Sequence, residues 1–410
     1  MKVDRKIRSG VGLVKREGVL ALTILALQKL EKRRQKSSSR KKLKIKFLAD
    51  YNTILKANRT SKPDKLTTKK TRLPLTVNWV MSPPRSGGGH QNIFRFIKYL
   101  EDIGHICRVY LYSSSDFPTI KELQEGMSAH YPPTHAAENM QWLDGDMAPA
   151  DAVFATGWET AYVVFNDPDQ ARKFYFVQDF EPYFYPLGSE YVLAENTYRM
   201  NMYGITAGGW LDQKLSNEYG MQCSHYDFGA DQELYSYQNS QHRKEIFFYA
   251  RPVTVRRGFE LGIMALQLFH EQRPDYTITL AGWDVEEYGI PFPYKNLKTL
   301  KLEELSEVYN QCAAGLVVSL TNMSLLPLEL LSAGVIPVVN DAPNNTQVSN
   351  NKYIKFAQAS PAALAQALVE VVDKKDLPSY AKKASLSVGN LSWAKSCQRF
   401  EDILKEQLNV

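Results

Sequence analysis

The sequence predicts an α/β protein made of two successive parallel sheets. Three observations carry this. Short apolar strands alternate with loops and helices from Leu75 to Gln178. A second such series begins near Lys244 and runs to Val339. The chain of 410 residues is 44% hydrophobic and 23% charged, enough to bury a core in each half. No internal repeat of solenoid period interrupts the pattern.

The elements follow in order. Residues 1–72 hold 23 Lys and Arg against 5 Asp and Glu, a net of +18. The whole chain carries +6, so the remainder carries −12. A basic leader precedes an acidic body. Such a leader suits an anionic partner: lipid head groups, nucleic acid or a phosphate-rich polymer. Val19–Leu27 is apolar apart from Thr23, but Gln28, Lys29, Glu31, Lys32, Arg33 and Arg34 follow at once, with no small-residue cleavage site. The run is well short of the roughly 20 apolar residues of a spanning helix. Residues 11–34 are expected to form a helix lying on a surface. Packing on the protein itself or on a partner subunit is the alternative. Residues 35–72 read as a linker, with a short apolar patch at Ile45–Leu48.

From Leu75 the texture changes. Thr76–Met81 is a predicted strand, 83–89 a loop, and Gln91–Ile103 an amphipathic helix. Cys107–Tyr112, Asp151–Ala155 and Lys173–Gln178 are further strands. In the second half the strands are Ile246–Ala250, Tyr276–Ala281, Gly315–Ser319 and Ile336–Val339. The helices are Phe259–Gln272, Leu302–Cys312, Pro327–Ser332, Ala362–Val372 and Ser392–Leu408. This gives a Rossmann-like domain over 73–235, completed by a C-terminal helix over 390–410, and a second over 236–389. Two such domains leave a cleft between them, and ligands bind at the carboxyl ends of the strands.

Three segments place chemistry at those ends. In the first, a strand ends at Ser319, a polar loop follows, and Pro327 opens a helix, a position that tolerates a missing N–H. The amides of Ser324, Leu325 and Leu326 then point out of a positive helix end, a natural diphosphate site. Glu329, one turn in, suits ribose hydroxyls, and Gly334 ends the helix. In the second, Arg251, Arg256 and Arg257 fall within seven residues after a strand. Cations facing that helix start would neutralise a diphosphate and stabilise it as a leaving group. In the third, Gly87, Gly88, Gly89 and His90 lie between the first strand and its helix, where glycine lets backbone approach a ligand. Two further phrases fit this layout. Asp179 and Glu181 end a strand of the first half with two carboxylates. Phe228-Gly229-Ala230-Asp231 falls near the end of that half.

These phrases resemble the retaining GT-B glycosyltransferases of family four. Glu329, Ala333, Gly334, Pro337, Val338 and Val339 match that family's signature, whose first Glu is replaced here by Thr321. The segment from Arg251 to Gly258 is similar to its Gly-Arg-x-x-x-x-Lys-Gly phrase. The YARP…RRGFELG and QDFEPYFYP…SEY phrases resemble bacterial rhamnosyltransferases of surface-polysaccharide and S-layer glycan assembly. The resemblance implies an α/β GT-B fold, two Rossmann-like domains facing a central cleft. It implies dTDP-L-rhamnose as donor, a rhamnan-type or lipid-linked glycan as acceptor, and retention of configuration. It implies catalytic roles for Arg251 and His90. Donor contacts fall to Arg251, Arg256, Arg257, Lys301, Thr321, Ser324, Leu325, Leu326, Glu329, Gly88 and Gly89. Acceptor contacts fall to His90, Asp179 and Glu181. An enzyme at the cytoplasmic face of the membrane is expected, its basic leader against anionic lipid.

Other classes are disfavoured. Asp144-Gly145-Asp146 has the Asp-x-Asp form of a GT-A metal site, but it precedes a strand and sits in a turn. No metal or other cofactor is expected. The four cysteines form no CxxC pair, which fits a reducing compartment. The leader has few aromatics to stack on bases, which disfavours nucleic acid. The alternative to an enzyme is an inactive sugar-nucleotide-binding partner subunit, prompted by Thr321.

Overall fold

The computed structural model describes residues 51–59, 72–84, 88–113, 119–127 and 133–410. The expected surface helix over 11–34, the apolar patch at 45–48 and Gly87 fall outside them. Within the expected linker, Tyr51–Arg59 is helical (α1). Its Ile54 and Ala57 bury against Trp158 and Tyr162, and Asn166 donates to the Thr53 carbonyl at 2.8 Å. Burying Ile54 contributes about 2 kcal/mol. A linker reading from composition overlooks one apolar stripe in a nine-residue turn of chain.

The first sheet has seven parallel strands: β1 Thr76–Met81, β2 Ile106–Leu111, β3 Gln141–Trp142, β4 Ala152–Ala155, β5 Arg172–Val177, β6 Tyr203–Ala207 and β7 Cys223–Tyr226. Their order is β3-β2-β1-β4-β5-β6-β7. The second has six: β8 Glu245–Tyr249, β9 Thr277–Ala281, β10 Tyr294–Asn296, β11 Cys312–Val317, β12 Ile336–Asn340 and β13 Lys355–Ala357, in the order β10-β9-β8-β11-β12-β13. In each sheet the strand order reverses beside the first strand, between β1 and β4 and between β8 and β11. A crevice opens at such a switch point, at the carboxyl ends of the strands.

The strands buried on both faces read as continuous apolar runs, as parallel strands must. Trp79 of β1 stacks on Phe154 of β4 at 4.4 Å between ring centroids. Helices cover both sheets: α2 Gly88–Asp102, α3 Trp158–Asn166 and α4 Gly209–Tyr219 in the first half, then α5 Phe259–Gln272, α6 Leu302–Tyr309, α7 Leu326–Ser332 and α8 Pro361–Val372 in the second. The last helix, α9 Trp393–Leu408, returns to the first sheet. Its Phe400 lies 4.8 Å from Phe96 and 5.5 Å from Phe154 between ring centroids. Among the described residues no helix is long and apolar enough to cross a membrane.

Candidate functional site

The site is built from the two strands that flank the switch point of the second sheet. β8 runs out into Arg251, whose guanidinium Nη1 donates to the Tyr249 hydroxyl at 3.2 Å. The same guanidinium lies 5.8 Å from the Tyr249 ring and 5.9 Å from the Trp283 ring. Its Nε has no hydrogen-bond partner among the described residues. A short 3-10 turn, Val255–Arg257, then presents two more arginines before α5. Gly258 closes this turn at φ +55°, where a Cβ would stand 2.5 Å from Val318 Cγ1. Only glycine accepts both the left-handed backbone and that approach.

β11 supplies the facing loop, 318–325. Arg257 Nη1 donates to Ser319 Oγ at 2.8 Å, and the Leu320 amide donates to the Arg256 carbonyl at 3.1 Å. Burial, then the charge of Arg256, lowers the Arg257 pKa from its ordinary value. An arginine stays charged regardless. The loop is pinned from behind by three asparagines. Asn340, Asn344 and Asn345 each donate to the Ser319 carbonyl, at 3.1, 3.0 and 3.1 Å. The Ser319 amide returns a bond to Asn340 Oδ1 at 2.7 Å. α7 then starts at Leu326 with Pro327 in its first turn. The amides of Ser324, Leu325 and Leu326 take no acceptor among the described residues, as expected at a helix start.

Glu329 on α7 is half-buried and accepts from the Tyr309 hydroxyl at 3.2 Å. Burial pushes its carboxyl up to about 7; Tyr309 opposes this and Asp231 adds to it. Asp231 itself pairs with Arg95 of α2 at 2.8 Å.

The first sheet meets this loop at the ends of β5 and β6. Thr321 donates its hydroxyl to Asp179 Oδ2 at 2.9 Å. Arg256 Nε stands 3.5 Å from the same oxygen, and its guanidinium lies 4.3 Å over the Phe184 ring. Burial raises the Asp179 pKa, against the pull of Arg256, Arg257 and Thr321. Asn322 donates to the carbonyls of Gln178 and Ala207, both at 3.0 Å. Gln178 in turn donates to the Gly89 carbonyl at 3.0 Å.

The geometry therefore brings together Arg251, Arg256, Arg257, Thr321 and Asp179, with Gly89 beyond them; Ser324 follows in the same loop. Other expected residues take different places. Glu181, expected at the acceptor, lies at the start of α3. It is 7% exposed and accepts from the Trp158 amide at 2.6 Å, closing the start of α3. Burial, then nearby Glu159, raises its pKa well above the ordinary carboxylate value. His90 sits in the first turn of α2 with Nε2 3.2 Å from the Ser82 carbonyl, anchored to the chain after β1. Gly88 is exposed, and a Cβ there would meet nothing within 4 Å. Lys301 is exposed at the start of α6, where its amide donates to Glu304 at 2.7 Å. The Leu326 side chain is buried. Thr321 is 2% exposed, its hydroxyl committed to Asp179. Asp144-Gly145-Asp146 forms a turn with Gly145 at φ +85° before β4.

Sequence reasoning missed Gln178, Asn322 and the Asn340, Asn344, Asn345 set. The available signal was their position: each lies at, or within five residues after, the carboxyl end of a strand, and asparagine recurs in Asn340–Asn345.

Comparison with solved structures places this architecture. Anabaena Alr3699/HepE in complex with UDP and glucose superposes with a TM-score of 0.62, covering 81% of this chain and 100% of that one at 13% identity. TarM gives a TM-score of 0.64 over 82% of this chain and 99% of that one at 9% identity. The fold is that of the GT-B glycosyltransferases. Two family models also match: the WsaF N-terminal domain over residues 137–207 and the WsaF C-terminal domain over 244–369. The C-terminal match spans Arg251 through Glu329. The chain is 34% identical over 276 residues to the O-antigen biosynthesis protein RfbC of Myxococcus xanthus. That alignment takes in 65% of this chain and only 21% of the relative.

Proposed function

We propose that this chain is a glycosyltransferase of surface-polysaccharide assembly that takes a sugar from a nucleoside-diphosphate donor. One observation carries the reading. Three arginines gather beyond the end of β8, and two of them bond to the loop that leads from β11 to the open start of α7. Cations and free amides at a helix start suit a diphosphate, and they resist the charge that grows on it as the sugar departs. The WsaF domain matches and the RfbC relative support a surface-glycan acceptor. The resemblance to rhamnosyltransferases supports dTDP-L-rhamnose as donor and retention of configuration.

On this reading the second half holds the nucleotide and the first half the acceptor. The bond from the anomeric carbon to the diphosphate oxygen breaks, and a bond to an acceptor hydroxyl oxygen forms on the same face. The acceptor proton passes to the departing diphosphate. Arg251, Arg256 and Arg257 stabilise that diphosphate without a metal. Asp179 orients Arg256 and faces the reacting centre from the first sheet. Glu329, when ionised, accepts from ribose.

The test is a panel of nucleoside-diphosphate sugars, with dTDP-L-rhamnose and UDP-glucose included, offered with a soluble oligosaccharide acceptor and EDTA. Release of nucleoside diphosphate and a mass gain of one sugar on the acceptor are expected from one donor. Tight nucleotide binding with no turnover of any donor would instead identify an inactive partner subunit.

A further inference from the structure

Away from the arginine cluster, a cavity of about 420 Å³ opens at the carboxyl end of β7, the edge strand of the first sheet. Strand carboxyl ends are where open α/β sheets hold ligands. One wall is Asp212 of α4 and His225 of β7, whose Oδ2 and Nδ1 stand 2.7 Å apart. The opposite wall is a face of α9 carrying Lys395, Ser396 and Arg399, a three- and four-residue spacing that aligns them. Asp227 completes the lining; its carbonyl accepts from Ser396 Oγ at 2.6 Å. Lys395 Nζ rests 3.2 Å from the Asn390 carbonyl, and Arg399 stands 3.3 Å from Glu406.

The chemistry of this lining selects a ligand class. Two carboxylates face two permanent cations and one imidazole, so the charges nearly cancel. An anion gains from Lys395 and Arg399 but meets Asp212 and Asp227; a cation meets the reverse. A neutral molecule with many hydroxyls uses both sets, since each hydroxyl donates and accepts. Phe228 and Leu391 add apolar surface for the C–H faces of a ring. The volume falls within the roughly 300–1,000 Å³ of small-ligand sites.

We propose that this cavity is a saccharide-binding site that holds a neutral sugar unit of the glycan chain, on residues distinct from the arginine cluster. The source of its ligand rests on the glycosyltransferase reading; the ligand class rests on the lining alone.

The test uses the full chain with neutral di-, tri- and tetrasaccharides of L-rhamnose, D-glucose and D-mannose, followed by saturation-transfer NMR and titration. Two variants probe the cavity at exposed positions. Lys395→Ala with Arg399→Ala removes both cations. Asn390→Trp fills the mouth. Saccharide binding is expected in the unmodified protein, weakened about tenfold to a hundredfold in the double variant, as for loss of charged hydrogen bonds, and abolished in Asn390→Trp. Affinity for dTDP and UDP, titrated in parallel, stays the same in all three proteins. No saccharide binding in the unmodified protein overturns the proposal. So does binding that survives both variants, or binding confined to sulfated or phosphorylated saccharides. Loss of all nucleotide binding, with saccharide binding still following the variants, leaves this site standing and removes the transferase reading instead.

Discussion

Replacing Arg251 by alanine separates catalytic from structural roles at the strand end. Among the described residues its guanidinium makes one hydrogen bond, to Tyr249, and two aromatic contacts near 6 Å. Losing these from a half-buried position costs about 1–2 kcal/mol of stability. That moves the thermal midpoint by roughly 2–8 °C for a domain of this size. The catalytic loss is expected to be larger. Removing one preorganised charge-stabilising donor lowers kcat by about a hundredfold or more. Arg251→Lys restores the charge but not the planar fork, so it recovers only part. Tyr249→Phe keeps the guanidinium and removes its orienting hydroxyl; a loss of roughly threefold to tenfold is expected, in line with one hydrogen bond. The assay is kcat with the donor found by screening, nucleoside-diphosphate affinity by calorimetry, and thermal midpoint on the same preparations. A near-normal kcat in Arg251→Ala would take this residue out of the site. A collapsed midpoint would make it a structural arginine.

Gly258→Ala forces a left-handed alanine, at about 1–2 kcal/mol, and drives Cβ against Val318. A total loss of about 2–4 kcal/mol is expected in denaturant unfolding, with Val318→Ala in the same chain recovering the steric part only. The Glu329 carboxyl titrates at about 7 in the folded chain, above its ordinary value. The unfolded chain therefore loses this proton first as pH rises from about 4.5 to 7. Glu329 should lower stability across that window, levelling above it, and Glu329→Gln should flatten that part of the profile. Nucleoside-diphosphate affinity should rise more steeply through pH 7 in the unmodified protein, as the ribose acceptor ionises, than in Glu329→Gln, where the nucleotide's own phosphate titrates. Asn322→Ala leaves the Gln178 and Ala207 carbonyls without their shared donor, at about 1–3 kcal/mol each. Faster hydrogen exchange in segments 178–182 and 207–210 would report it, and unchanged exchange would refute the clamp. The +18 leader predicts binding to anionic vesicles at low salt that weakens at high salt. A chain lacking residues 1–34 should lose that binding and keep activity on a short soluble acceptor.

Local pattern alone fixed a good part of this protein. Thr76–Met81 and Phe259–Gln272 have the predicted ends, because a continuous apolar run and a 3.6-residue stripe are both properties of neighbouring residues. The three arginines and the Pro327 helix start were legible for the same reason: chain order puts them at strand ends. Polar strands were not legible. β7, Cys223–Tyr226, is an edge strand whose side chains are mostly half-buried, so its sequence lacks the apolar run of a central strand. β6, Tyr203–Ala207, is fully buried but carries Gly204 and Thr206 within five residues. What no local pattern contains is the partner of each polar side chain. Asp179 and Glu181 are two residues apart, yet one faces Thr321 and Arg256 from the other sheet and the other closes α3. Asn322 and Gln178 lie 144 positions apart and meet because two sheets turn their carboxyl ends toward each other. A buried carboxylate or amide must find a partner wherever the fold brings one, and that choice belongs to the tertiary structure.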